Sequence, residues 1–174
     1  MIMERRYADD GPPAHPVALR PARPYTGPML AAMNLVGAAA GLAWYLSCIL
    51  VFVLRLAGRA GGDRVVGFAQ MIFVFPLALL LATAPGLSRP PLFYLQAALL
   101  LAFVLFESVA DVMLRVDFRA SRAALVPYVV FFFAASGGML GVIALAGQAW
   151  LVAGVAAFLA VTGLAFAQRA STGA

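Results

Sequence analysis

The stretch from Leu92 to Arg122, LFYLQAALLLAFVLFESVADVMLRVDFRASR, decides the fold of this chain. Its first fifteen residues, Leu92 to Phe106, carry no charge, and its last sixteen carry six charged side chains. A helix of about 20 apolar residues is long enough to cross the hydrocarbon core of a bilayer. The pattern therefore predicts a helix that runs through lipid for most of its length and then leaves it.

The composition of the whole chain favours the same solvent. The 174 residues are 64% hydrophobic and 11% charged, whereas a soluble domain carries about 25% charged residues. All twelve basic residues are arginines, and most of them lie in short stretches between apolar runs. This placement is typical of residues that orient a membrane protein, so we expect the lipid bilayer, and no nucleic acid, as a partner.

Five apolar runs of near-spanning length follow one another, at residues 30–54, 65–84, 92–114, 122–146 and 149–167. The predicted fold is all-α: a polytopic membrane protein whose residues 29–169 form a compact bundle of five transmembrane helices with short loops. A four-span alternative would make one run re-entrant, and the turn at Gly147 and Gln148 is the weakest boundary.

The two tails differ from this core. Residues 1–28 contain six of the eleven prolines, four arginines and three acids, so an extended or disordered tail is expected there. Residues 170–174 form a short polar tail. The single histidine, His15, lies in the first tail, and Cys48 is the single cysteine. We therefore expect no histidine-ligated haem within the membrane, and a single cysteine cannot form an internal disulfide.

The orientation follows from the arginines that flank the spans. Seven lie after the first and third spans and at the C-terminus: Arg55, Arg59, Arg64, Arg115, Arg119, Arg122 and Arg169. The opposite side has Arg20, Arg23 and Arg89 near the spans, with Arg5 and Arg6 further away. Because cytoplasmic loops are enriched in basic residues, we expect the N-terminus outside and the C-terminus inside a cell membrane, a bacterial inner membrane.

A candidate polar or ion site lies on the third span. On a regular helix Asp111 is rotated about 40° and Arg115 about 80° from Glu107, while Gln96 lies about 20° to the other side. Gln70, on the second span, is a further candidate member. An acid within the hydrocarbon is costly and normally faces the bundle interior or a wet cavity. The alternative is an interfacial helix end, at which Asp111 pairs with Arg115 or Arg119.

Other features indicate packing and topology. Gly37 with Gly41, and Gly137 with Gly141, have the small-xxx-small spacing that lets helices approach closely. Pro76 interrupts the second span, where it should kink the helix, act as a hinge and free a carbonyl that Gln70 is expected to satisfy. Three arginines are interpreted as topology signals or as contacts to anionic lipid headgroups: Arg115, Arg119 and Arg122.

The sequence contains few residues arranged for catalysis. The chain lacks a Ser/His/Asp set, paired cysteines and a metal-binding histidine spacing, and its glycines lie within apolar runs. We therefore expect no enzymatic activity, no cofactor and no metal.

Three functions remain open. The first is an accessory or structural membrane subunit that packs against itself or a larger complex through faces of small residues. The second is a small transporter or channel component in which Glu107 and Asp111 lie on the pathway. The third is a lipid- or isoprenoid-binding protein in which Phe103 and the aromatic run Phe131 to Phe133 line a cleft.

Overall fold

The computed structural model describes residues 27–113 and 122–172, and every regular element in those ranges is a helix. The elements are α1 (Pro28–Leu56), α2 (Ala60–Ala69), a 3-10 turn (Gln70–Phe73), α3 (Val74–Thr83), α4 (Pro91–Glu107), a π-helical segment (Ser108–Met113), α5 (Arg122–Ala144) and α6 (Gln148–Thr172). The 3-10 turn joins α2 and α3 into one α2–α3 rod. With that rod counted once, the described residues contain five helices long and apolar enough to cross a membrane, which confirms the predicted number.

The helices form an up-and-down bundle with one helix outside it. The α2–α3 rod packs between α1 and α4, α4 packs on α5, and α5 returns to α1. These four close a square, and α6 lies in the groove between α1 and α5. One end of the bundle, the Arg55 end, has the end of α1 and the start of α2. The other, the Arg89 end, has the connection from α3 to α4 and the turn from α5 to α6.

The central helix is α1, because it packs against α5, α6 and the α2–α3 rod. Its buried residues include Gly37, Gly41, Trp44, Cys48 and Val51, which alternate steps of four and three. That spacing repeats every seven residues and is the seam of left-handed, nearly parallel helix packing. The sequence of α1 thus fixes both which face is buried and the shallow angle at which its neighbours cross.

Pro76 changes the α2–α3 rod in the turn that precedes it. A proline inside a helix cannot bond the carbonyl four residues earlier, here that of Ile72, and its ring clashes with it. The 3-10 turn Gln70–Phe73 contains this carbonyl, so the helix responds by tightening over one turn. The Gln70 side chain, expected to satisfy that carbonyl, points to α1 instead: its Nε2 donates to Ser47 Oγ over 2.8 Å.

Two helices extend beyond the apolar runs predicted for them. The second helix begins at Ala60 rather than Val65, because Asp63 in its first turn forms a 3.0 Å ion pair with Arg55 of α1. The last helix continues to Thr172, so it includes Arg169 and also residues 170–172 of the predicted C-terminal tail. Residues 1–26, 114–121 and 173–174 lie outside the described residues, and so do nearly all of the predicted first tail and the whole third loop.

Gly147 is the one position in the α5–α6 turn where the backbone requires glycine. Its φ is +119°, in the region that side-chain-bearing residues rarely adopt. The last turn of α5 closes with hydrogen bonds to residues 142–144, and α6 starts at the next residue, Gln148. The predicted short turn at Gly147 therefore separates two full-length helices.

Candidate functional site

An aromatic layer fills the middle of the bundle. Trp44 and Tyr45 of α1, Phe103 of α4 and Phe132 of α5 are all buried, the first three completely. The ring centroids of Trp44, Phe103 and Phe132 lie 5.5 to 6.3 Å apart in tilted or edge-on pairs, the geometry that aromatic rings prefer. Phe131 and Phe133 pack on the same layer. The aromatic residues considered as the lining of a lipid cleft thus form the packed core.

A polar layer lies one helical turn from this aromatic layer, towards the Arg55 end. Cys48 follows Trp44 by four residues, Glu107 follows Phe103 by four, and Tyr128 precedes Phe132 by four on the oppositely directed α5. Because the three rings touch, the residues one turn away on each helix lie at one level. Gln70 joins the same level from the 3-10 turn. We call Cys48, Gln70, Glu107 and Tyr128 the polar layer.

Hydrogen bonds connect the polar layer between helices. The Tyr128 hydroxyl donates to Glu107 Oε1 over 2.8 Å, which links α5 to α4. Gln70 is buried, and its Nε2 donates to Ser47 Oγ and, over 3.6 Å, to Cys48 Sγ, which links the α2–α3 rod to α1. Ser47 in turn donates to the Trp44 carbonyl over 2.6 Å. Each of the four bundle helices therefore contributes a polar side chain to this one level.

Glu107 occupies a half-buried position at the point where α4 becomes π-helical. Its carboxylate is bound by a tyrosine of another long helix rather than directed away from the bundle. The segment that follows Glu107 is π-helical, so the regular helix on which the angle between Glu107 and Asp111 was predicted ends at Glu107. The side chain of Asp111, and the residues Arg115 and Arg119, lie outside what the structure describes.

The remaining predicted members lie apart from Glu107. Gln96 is eleven residues earlier on α4, near the Arg89 end, where its side chain lies against Gly138 and Gly141 of α5. Pro76 is in α3, beyond the 3-10 turn. Arg122 starts α5, and its side chain is not among those described. The structure thus brings Gln70 and Glu107 to one level and separates Gln96 from them.

The four predicted packing glycines have different surroundings. A Cβ on Gly37 would lie 2.9 Å from Val142 Cγ1, and one on Gly41 would lie 2.9 Å from Ile143 Cγ1, so both glycines let α1 approach α5. Gly141 accommodates the Gln96 side chain. Gly137 has no atom within 4 Å of an added Cβ and is exposed. The two predicted packing glycines of α1 therefore pack against α5 of the same chain.

A second polar cluster lies at the Arg89 end. Asn34 of α1 donates through Nδ2 to the carbonyl of Leu145, at the end of α5, over 2.9 Å. The Asn34 Oδ1 accepts a short hydrogen bond from Arg89 Nη2. The Arg89 guanidinium carbon lies 4.8 Å from the centre of the Phe93 ring, a cation–π contact. Burial holds the pKa of Arg89 below its ordinary value.

One face of α6 is lined by small residues that point away from the bundle. These are Ala149, Ala153, Ala156, Ala160, Gly163 and Ala167, all exposed, with steps of four, three, four, three and four. We call this set the α6 small face. The adjacent exposed flank carries large residues instead, among them Val152, Leu159 and Phe166, each more than 60% exposed. The seven-residue repeat of this face was not among the patterns predicted from the sequence.

The chemistry available at these places is limited. Within the described residues no group of three or more His, Cys, Asp and Glu side chains could hold a metal ion. Besides Glu107, the only acid whose carboxylate the structure describes is Asp63, which is paired with Arg55. No protein-family model, no curated protein and no solved structure matches the chain.

Proposed function

We propose that the chain is an integral protein of a bacterial inner membrane that crosses the bilayer five times, with its N-terminus outside and its C-terminus in the cytoplasm. Five sufficiently long apolar helices support the number of crossings. The excess of arginines at the Arg55 end supports the orientation. The exposed large apolar residues on every long helix suit a lipid surrounding.

Within that membrane, we propose a structural subunit that associates with a second copy of itself through the α6 small face. The carrying observation is the division of the exposed surface of α6 into a flank of Ala and Gly and a flank of large residues. Lipid tails contact large side chains as well as small ones, so lipid alone does not require this division. Helix–helix contacts in membranes, by contrast, favour small residues because they let two backbones approach.

The spacing of the small face also suits a two-fold partner. A repeat of seven residues keeps the same stripe facing a neighbouring helix when the two cross at about 20°. In a symmetric pair the same patch meets itself, so each α6 would pack against the α6 of the other copy. Gly37 and Gly41 of α1 do not compete for this role, since both already contact α5.

Cysteine cross-linking tests this proposal in native membranes. In a Cys48→Ala background, Ala156→Cys lies on the small face and Leu159→Cys on the large flank; the native side chains at both positions are exposed. We expect an oxidant to convert most of the Ala156→Cys protein to a disulfide-linked dimer and to leave Leu159→Cys monomeric. Equal cross-linking at both positions, or none at Ala156→Cys, would contradict the pairing of two α6 helices.

A second function is favoured by the polar layer, in which Glu107 is bound by Tyr128 and adjoins the π-helical segment. Buried acids in membrane proteins mark ion and proton pathways, and π-helical turns recur at functional sites. In this proposal the chain is a small transporter or channel component, with Glu107 and Asp111 on the path and Pro76 as a hinge. The buried rings of Trp44, Phe103 and Phe132, one turn from Glu107, would then form the closed gate.

Flux through proteoliposomes tests that second function. If Glu107 carries the transported proton or cation, Glu107→Gln should reduce the proton flux of the parent to the rate of protein-free liposomes. The matched control is Asp63→Asn, which removes an acid paired with Arg55 outside the polar layer and should leave the flux unchanged. A parent flux no faster than that of empty liposomes, or one that Glu107→Gln does not alter, contradicts this role.

A further inference from the structure

Arg89 is the centre of a site that neither proposed function uses. It lies in the connection from α3 to α4, and its contacts reach α1 through Asn34 and α4 through Phe93. Asn34 is itself tied to the end of α5 by its bond to the Leu145 carbonyl. Three helices therefore fix the position of one guanidinium at the Arg89 end of the bundle.

The guanidinium is oriented before any ligand arrives. Asn34 accepts from Nη2 on one side, and the Phe93 ring lies against the guanidinium. The Nε atom is buried without a hydrogen-bond partner, so its proton faces into the protein. Of the five N–H groups of an arginine, this leaves three on the two terminal nitrogens to meet a group from outside. Such a planar fork matches the oxygens of a phosphate.

The charge of Arg89 has no counter-ion within the part of the chain that the structure describes. The ion pair found there joins Arg55 to Asp63, at the opposite end. Glu107 is also towards that opposite end and is bound to Tyr128. A half-buried cation that lacks a carboxylate pays a desolvation penalty, which Arg89 shows as a lowered pKa. An anion from outside the bundle would offset this cost.

We propose that Arg89, held by Asn34 and Phe93, binds the phosphate of an anionic lipid headgroup at the end of the bundle that the proposed orientation places outside. The inference rests on the membrane location proposed above, but not on the pairing of α6 helices. In that location the connection between α3 and α4 lies at the level of the headgroups, where phosphates are the abundant anions. The bound lipid would close the Arg89 end by linking three helices.

Binding of short-chain lipids to the detergent-solubilised protein tests this assignment. The probes are dihexanoyl phosphatidylglycerol, the corresponding phosphatidylcholine and inorganic phosphate, measured for the parent and for Arg89→Gln, Arg89→Lys and Arg59→Gln. We expect the parent to prefer phosphatidylglycerol and Arg89→Gln to bind it about tenfold more weakly, the loss of one charged hydrogen-bond fork. Arg89→Lys should retain part of the affinity, because it keeps the charge and loses the fork.

The matched control is the exposed Arg59, at the other end of the bundle. Arg59→Gln should bind phosphatidylglycerol as tightly as the parent does. Equal losses of lipid affinity for Arg59→Gln and Arg89→Gln would show that only the net charge of the protein matters, and would overturn the site. Binding of inorganic phosphate as tight as that of the lipid, with the same loss in Arg89→Gln, would overturn the lipid as the ligand. An unchanged elution volume and the intermediate Arg89→Lys affinity separate lost binding from lost folding. A protein that folds in detergent without binding phosphatidylglycerol refutes this site and leaves the five crossings untouched.

Discussion

Gly41→Leu should destabilise the bundle by about 1–3 kcal/mol, the usual cost of extra volume in a packed core. A Cβ alone at Gly41 would lie 2.8 Å from Met139 Cε and 2.9 Å from Ile143 Cγ1, and a leucine adds three more carbons. Met139 and Ile143 are completely buried, so neither side chain can make room by turning into the surroundings of the bundle. The helices α1 and α5 must therefore separate, which loosens the contact that closes the four-helix square.

Gly137→Leu is the matched control, because it makes the same change in a second small-xxx-small pattern, that of Gly137 and Gly141 on α5. Nothing lies within 4 Å of a Cβ at Gly137, so the leucine meets no clash and also removes a glycine from a helix interior. We expect its stability to stay within about 0.5 kcal/mol of the parent or to rise slightly. Reversible unfolding in mixed micelles measures both variants, and equal losses would show that the α1–α5 contact is not the tight one.

The number and order of the helices could be predicted from the sequence, because an apolar run of this length is expected to form one helix in lipid. Boundaries were harder to predict where a charged residue joined a helix. Asp63 and its neighbours look like a loop, since Gly61 and Gly62 precede them, yet the ion pair to Arg55 extends the second helix back to Ala60. That pairing depends on where α1 ends, which a local pattern does not reveal.

The polar layer could be predicted only in part. Gln70 and Glu107 stand out because polar side chains are rare in apolar runs, but their partners Cys48 and Tyr128 do not. Both are common in packed cores, and their positions matter only because the rings of Trp44, Phe103 and Phe132 bring three helices into register. A one-helix wheel also assumes regular geometry, which fails at the π-helical segment after Glu107.

The α6 small face shows the opposite situation. Its signal, a small residue at alternating steps of four and three from Ala149 to Ala167, is complete in the sequence. The sequence does not show which side of α6 is covered by α1 and α5. Buried Gly154 and Val161 lie on a different face, so the repeat of small residues remains outside the bundle.

The number of crossings is the claim on which the membrane location and both proposed functions depend. The two ends of the bundle can be marked with single cysteines in a Cys48→Ala background. The positions are Arg59, Ser88, Gln148 and Ser171, and all four native residues are exposed. A maleimide that cannot cross membranes should label Ser88→Cys and Gln148→Cys in intact cells, and should reach Arg59→Cys and Ser171→Cys only after the cells are opened. The reverse pattern would overturn the orientation alone. Labelling of all four positions from one side would contradict the five crossings.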